Sequence, residues 1–263
     1  MSGLERQGVG FVAIGIVAVA LGGMRGRGSA WRQRGAVAVS GVLFFGVPAE
    51  LIEHARTYTS EMSVAVVFAL APVVVVLVWG AVAQAVGGMR QLLPPLIGLA
   101  GVLLLLPFEL PVSGRAWEAV AELAVAMVLV ASAGVWLYGL LQQMKLMEAM
   151  AVIGISNAAL LLAWRGVVGS LDWRWRDIAG AWWVSFASMV VTVLTVWLLQ
   201  RMEPVRFSAR FLVVPLVTIL EGLVLLRPEV TARMLMGGAL LAGGAAWMLM
   251  AKPVVDEEVL TLR

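Results

Sequence analysis

Four ionisable side chains lie inside long apolar stretches of the sequence, where a charge is costly. Glu50, Glu122 and Glu221 stand within three such stretches, and Arg165 lies near the end of another. A charge at the centre of a membrane-spanning helix costs about 2.5–3.5 kcal/mol, so such residues usually have a partner or a function. Together they predict a polar vestibule that attracts cationic or zwitterionic solutes, or that holds a coupling proton. The alternative is that Arg165 neutralises one carboxylate between helices, or that the acids reach lipid headgroups.

Neutral polar residues add two further candidates for a solute-binding site. Asn157 lies midway along an apolar stretch, and Ser185 begins a stripe of hydroxyl groups that continues at Ser188, Thr192 and Thr195. Asn157 is expected either to form a hydrogen bond between helices or to contact a solute. The hydroxyl stripe either bonds back to its own helix or faces a cavity.

The residues needed for most catalytic and metal chemistry are missing from the chain. It has no cysteine and one histidine, His54, which excludes disulfides, thiolate ligands and multi-histidine metal sites. No HExxH, GxSxG or ATP-binding motif is present. We therefore expect no enzyme, no catalytic residue, no metal and no cofactor. His54 follows Glu53 at the end of an apolar stretch, where it serves either as a helix-end residue or as a protonation switch.

Composition indicates what must position these residues. Apolar residues make up 62% of the 263 and charged residues only 13%, against roughly 25% charged in soluble proteins. Crossing about 30 Å of hydrocarbon takes about 20 helical residues, and only helices or closed barrels satisfy their backbone there. The sequence predicts an all-α, polytopic transmembrane helix bundle of about nine helices. The predicted spans are 9–23, 35–54, 62–86, 92–107, 117–141, 147–168, 178–200, 207–226 and 233–250. They form one transmembrane domain over 1–250, and 251–263 is a short polar tail.

An internal repeat runs through these spans. The second span opens GAVAVS at Gly35 and the seventh opens GAWWVS at Gly180, each after a Trp-Arg pair. The third and eighth spans carry Pro72 and Pro215 inside apolar runs, and closely spaced glycines follow in the fourth and ninth. Equivalent helices lie five spans apart, and an odd separation reverses their direction across the membrane, so the repeat is predicted to be inverted. Repeat 1 covers about 9–107 and repeat 2 about 117–250. Pro72 and Pro215 are candidate hinges, or fixed kinks that aid packing. Gly237 and Gly244 share one face and predict close helix packing.

Basic residues in the loops suggest an orientation. With the N-terminus outside, eleven basic residues fall on the inner side and eight on the outer side, as expected when positive loops stay inside. The arginines are interpreted as orientation signals and lipid contacts, so no nucleic-acid partner is expected.

The chain resembles the drug/metabolite transporter superfamily, in its EamA-type branch. The stretch YTSEMSVAVVFALAP, from Tyr58 to Pro72, is similar to that family's junction after its third helix. The closing stretch from Pro215 through Gly222, Thr231, Gly237 and Gly244 follows the family spacing. The resemblance covers about residues 10–250. It implies a permease of small organic solutes or metabolites, which works by alternating access in a bacterial inner membrane.

The chain also departs from that family. Its members usually have ten helices, and here the first is expected to be missing; a homodimer is one way to restore the lost wall of the cavity. The family's Gly-Glu pair near the end of the ninth helix is replaced by Arg227-Pro228. Two alternatives to a permease therefore stay open. One is a non-transporting membrane subunit or degenerate family member, and the weaker one is a membrane-embedded enzyme.

Overall fold

The computed structural model describes residues 3–22, 31–83, 89–106, 111–168, 175–226 and 231–251. Within these ranges every regular element is helical, and none is a strand, which confirms the all-α prediction. A π-helical turn, Val42–Gly46, joins α2 to α3, and a short 3₁₀ turn, Met89–Gln91, precedes α6. The helices are α1 (Gly3–Ala20), α2 (Trp31–Gly41), α3 (Val47–Ala55), α4 (Glu61–Phe68), α5 (Ala71–Ala83), α6 (Leu93–Leu105), α7 (Gly114–Leu141), α8 (Leu146–Val168), α9 (Trp175–Arg201), α10 (Pro204–Ser208), α11 (Arg210–Leu226) and α12 (Ala232–Met250). The predicted tail lies outside the described residues from 252 onward.

Among the described residues, six helical segments are long and apolar enough to cross a membrane. They are Trp31–Ala55, Glu61–Val82, Gly114–Leu141, Leu146–Trp164, Pro204–Leu225 and Ala232–Met250. Shorter apolar helices occur at Gln7–Ala20, Leu93–Leu105 and Phe186–Arg201. Large apolar side chains such as Leu225 and Met250 are exposed on these helices, which water would disfavour and lipid would not. The chain is therefore a helical membrane protein, as the sequence predicts.

Three of the long segments are interrupted rather than continuous. The π-turn in the first ends two residues before Pro48, whose missing amide hydrogen and ring disrupt regular α-helical bonding. The second breaks at Ala69 and Leu70, just before Pro72 in the first turn of α5. The third breaks at Ala209, whereas Pro215 lies inside the continuous helix α11. The two hinge candidates thus differ. The helix is interrupted directly before the turn that contains Pro72, whereas Pro215 lies six residues after the interruption at Ala209.

The chain divides into two compact units that do not follow the order of the sequence. Unit 1 contains residues 1–53 and 136–202, and unit 2 contains 54–135 and 203–263. The core of unit 1 includes Phe11, Ile153 and Leu199, which are nearly or fully buried. The core of unit 2 includes Leu212 and Leu241. Each unit combines helices from both predicted repeats.

In each unit the most extensive packing joins two helices that cross at glycines. In unit 1, α1 crosses α8 where a Cβ on Gly154 would lie 2.7 Å from the Gly15 amide nitrogen. In unit 2, α6 crosses α12, and a Cβ on Gly244 would lie 2.5 Å from the Gly98 amide nitrogen. A Cβ on Gly101 would lie 2.7 Å from the carbonyl oxygen of Gly237. Side chains at these points would push the backbones apart. The predicted packing face of Gly237 and Gly244 is confirmed.

Candidate functional site

Asn157 is the most deeply buried polar residue among the predicted candidates, and it lies in unit 1. Its exposed fraction is 0%. The side-chain Nδ2 donates a hydrogen bond to the Ile153 carbonyl oxygen at 2.9 Å, one turn earlier on α8. No donor among the residues that the structure describes reaches Oδ1. Buried polar atoms are nearly always hydrogen-bonded, so an acceptor without a donor marks a place where a ligand or water is expected.

The π-turn of the α2–α3 segment packs directly against this amide. Gly41 and Gly46 stand at its two ends and both face α8. A Cβ on Gly46 would lie 2.8 Å from Asn157 Oδ1, and a Cβ on Gly41 would lie 3.1 Å from Ile153 Cγ1. An i→i+5 turn brings residues five apart nearly onto one face, which a regular α-helix does not do. The π-turn therefore lets both glycines meet the same neighbour, and such turns occur often at functional sites.

Glu50 lies one turn beyond this contact. It follows Gly46 by four residues on α3 and is half-buried, with its Oε1 atom shielded from solvent. The structure thus brings Glu50 and Asn157 into the same part of unit 1. The side chains of Arg165 and Ser185 lie outside the described side chains, so their predicted roles stay predictions. Farther along the same stripe, Thr192 donates a hydrogen bond to the Ser188 carbonyl oxygen at 2.8 Å, which is one of the two alternatives for these hydroxyls.

A second polar cluster lies in unit 1, and no spacing in the sequence predicts it. The Arg34 guanidinium contacts Glu148 at 2.8 Å, and the Glu148 side chain is only 7% exposed. Gln200 Nε2 donates to the carbonyl oxygens of Leu141 and Met144. Leu141 is the last residue of α7, and Met144 lies three residues after it. The last carbonyl groups of a helix lack partners within it, so these bonds satisfy atoms that would otherwise be unpaired. We interpret these contacts as stabilising the packing of helix ends, not as a solute site.

In unit 2 the structure pairs Glu122 with His54. The imidazole Nδ1 lies 2.8 Å from Glu122 Oε2, and the two side chains are 63% and 28% exposed. Tyr58 packs edge-on against the imidazole with ring centroids 5.8 Å apart, and the Arg115 guanidinium carbon lies 5.7 Å from the Tyr58 centroid. Glu122 is thus paired with His54 rather than with another predicted candidate. The sequence predicts His54 to be a helix-end residue or a protonation switch. Spacing alone does not identify its partner, Glu122, which lies 68 positions away.

A pocket of about 440 Å³ shares Tyr58 with this cluster. Its wall carries the hydroxyl groups of Thr57, Thr59, Ser60 and Ser63. Ser60 also caps α4, since its hydroxyl accepts a hydrogen bond from the Ser63 amide. The remaining lining is apolar: Pro111, Val112, Ala116 and Val120. Such a wall suits a small solute with both polar and apolar surface.

Glu221 does not join this cluster. It lies on α11 and is exposed. Glu50 belongs to unit 1, whereas Glu122 and Glu221 belong to unit 2. The vestibule predicted to contain all three acids therefore stays a prediction. Within the described part of the chain, no group of three or more His, Asp or Glu side chains could hold a metal ion.

Comparison with known proteins identifies the fold but no family. No family model matches the chain, and no curated protein matches it. Fifteen chains among the solved structures do match. One of them, described only as the crystal structure of a protein, aligns with a TM-score of 0.70 and 18% identity over 95% of this chain and 89% of that chain. The two chains share a fold, and the likeness names no substrate. Membership of the drug/metabolite transporter superfamily stays a prediction.

Proposed function

We propose that the protein is a permease of small organic solutes, which works by alternating access between inverted helix repeats. The observation that supports this most strongly is the make-up of the two units. The predicted spans are numbered here along the chain. Unit 1 contains the first and sixth spans (α1 and α8) and the second and seventh (α2–α3 and α9). Unit 2 contains the third and eighth spans (α4–α5 and α10–α11) and the fourth and ninth (α6 and α12). Each of these spans thus lies with its proposed counterpart five spans later.

The two glycine crossings support the same proposal. The crossing of α1 with α8 joins the first span to the sixth, and that of α6 with α12 joins the fourth to the ninth. Helices related by an axis in the membrane plane meet at that axis, and small residues allow them to do so closely. A chance resemblance between the halves would not favour these particular pairings.

Features inside the spans suit transport rather than a purely structural role. Interrupted helices at membrane depth are tolerated where they are buried in protein or line a cavity, and transporters use them at their solute sites. Here the interruptions are the π-turn beside Asn157, the break before Pro72 and the break at Ala209. We propose that the protein belongs to the EamA-type branch and lies in a bacterial inner membrane, and that the helix interruptions that precede Pro72 and Pro215 are the hinges of the transport cycle.

Flux measurement tests the function. The purified full-length chain, reconstituted in liposomes and loaded with an isotope-labelled mixture of amino acids and small amines, is expected to exchange at least one solute saturably. Protein-free liposomes and liposomes that carry an unrelated helical membrane protein serve as controls. Flux equal to both controls for every solute, together with a partner that copurifies stably, would favour the non-transporting subunit instead.

A pair of cysteine variants tests the inverted repeat independently of any solute. Thr59 follows the second span and Met202 follows the seventh, and the chain has no native cysteine. We expect a membrane-impermeant maleimide to label Thr59→Cys in intact spheroplasts and to label Met202→Cys only after lysis. Labelling of both positions from the same side would refute the inversion.

A further inference from the structure

The unpaired oxygen of Asn157 is the starting point. Its orientation is fixed because Nδ2 donates to the Ile153 carbonyl oxygen; a flipped amide would bring two oxygen atoms together. Oδ1 therefore faces the α2–α3 segment, in a residue with no exposed surface. In the part of the chain that the structure describes, nothing donates to it.

The neighbouring backbone meets that oxygen through a glycine rather than through a side chain. The residue opposite Oδ1 is Gly46, at the end of the π-turn, and any side chain there would occupy the space. Gly41, at the start of the π-turn, faces the preceding turn of α8. Glycine and an i→i+5 turn each cost a helix stability, and here they bring the backbone of the α2–α3 segment close to α8. They make sense if the space has to admit something other than a side chain when the helices separate.

The chemistry of the oxygen defines what it can admit. An amide oxygen only accepts hydrogen bonds, so it repels an anion and offers nothing specific to a quaternary ammonium. A primary ammonium group carries three N–H donors, and its charge strengthens each hydrogen bond. Glu50 stands four residues after Gly46 on the same segment, so a second acceptor-bearing side chain lies about one turn from this contact.

We propose that Asn157 Oδ1 accepts a hydrogen bond from the primary ammonium group of the transported solute, an inference that rests on the proposed permease function. Because Asn157 is fully buried, the solute reaches it only when the π-turn and α8 move apart, which alternating access supplies.

Two pairs of solutes isolate the ammonium donors. Choline is the trimethylated form of ethanolamine, and glycine betaine is that of glycine, so each pair has the same charges but differs in N–H donors. Binding of the four labelled compounds is measured on the full-length protein in lipid nanodiscs. Wild-type protein is expected to bind the primary ammonium member of at least one pair about tenfold more tightly or better, as one hydrogen bond to a charged donor allows.

Variants assign the preference to Asn157. Asn157→Leu keeps the number of side-chain heavy atoms but removes the acceptor, and is expected to abolish the preference. Asn157→Asp keeps an acceptor, provided that its second oxygen is protonated and donates to the Ile153 carbonyl oxygen as Nδ2 does, and is expected to retain the preference. The control is Ser156→Ala, because Ser156 only bonds back to the Ile153 carbonyl oxygen, and this variant should bind as the wild type does. Thermal unfolding of each variant verifies that it is folded.

Several outcomes would overturn the inference while leaving the permease intact. Equal binding of both members of each pair by the wild type would do so, as would a preference that survives in Asn157→Leu; the oxygen would then simply bond a buried water. If neither amine binds but liposomes exchange another solute, the inference fails alone. If no solute is exchanged at all, the proposed function fails with it.

Discussion

Substitution of Gly244 by alanine tests the crossing of α6 with α12. The added Cβ would lie 2.5 Å from the Gly98 amide nitrogen and 2.7 Å from the Pro94 carbonyl oxygen. Both atoms belong to the backbone, so no side chain can rotate away and the two helices must separate. Overpacking of this kind costs about 1–3 kcal/mol.

The adjacent Gly243 provides a matched control. A Cβ there meets nothing within 4 Å. Both substitutions stand inside the same helix and gain the same roughly 0.5–1 kcal/mol from replacing glycine by alanine. The difference between the two variants therefore isolates the steric cost. At about 2–4 °C per kcal/mol for a chain of this size, Gly244→Ala should unfold roughly 2–12 °C below Gly243→Ala.

The assay is thermal unfolding of the full-length protein in one detergent or nanodisc preparation, followed by intrinsic tryptophan fluorescence. Gly243→Ala is expected at or slightly above the wild-type midpoint, and Gly244→Ala clearly below it. Equal midpoints for the two variants would mean that α6 and α12 do not approach as closely as described, and the support that this crossing lends to paired repeats would be lost.

Two further predictions concern polar groups in the described parts of the chain. The Arg34–Glu148 pair, with Glu148 only 7% exposed, should show a larger coupling energy in a double-mutant cycle than the Arg56–Glu61 pair, whose side chains are 45% and 72% exposed. Exposed pairs contribute about 0–1 kcal/mol, whereas breaking a buried pair costs about 3–5 kcal/mol; equal couplings in chemical unfolding would contradict this. Asn157→Leu should raise the stability of the solute-free protein by about 1–3 kcal/mol, because it removes a buried acceptor that lacks a donor. A lowered unfolding midpoint would instead indicate a structural role for the amide.

Much of the architecture could be predicted because it depends on local composition. A run of about 20 apolar residues forms a helix in a membrane whatever its neighbours are. Each of the nine predicted spans overlaps helical segments of the structure, often to within a few residues. Glycines at Gly237 and Gly244 were predicted to pack closely because two small residues seven apart share a helix face, and they do.

What could not be predicted depends on partners far away in the sequence. The π-turn has an ordinary apolar sequence, VLFFG, and follows from the contact of its two end glycines with α8 together with the nearby Pro48. The pairing of His54 with Glu122 joins residues 68 positions apart. The sequence pairs Pro72 with Pro215 as hinges or fixed kinks, but an interruption stands directly before Pro72 alone. The corresponding one falls at Ala209 and α11 continues through Pro215, because a proline within a helix can be accommodated by a bend without ending it.

The interleaved make-up of the units has a consequence for biosynthesis. Helix α1 is synthesised long before its partner α8, which begins only at Leu146, so the intervening segments are inserted before the two can pack together. Unit 2 likewise cannot be completed until α12, near the end of the chain, reaches α6. Assembly is therefore largely post-insertional. A gene cut at the loop before Leu146 would yield two fragments, neither of which holds a whole unit, and both would have to meet in the same membrane to recover the fold.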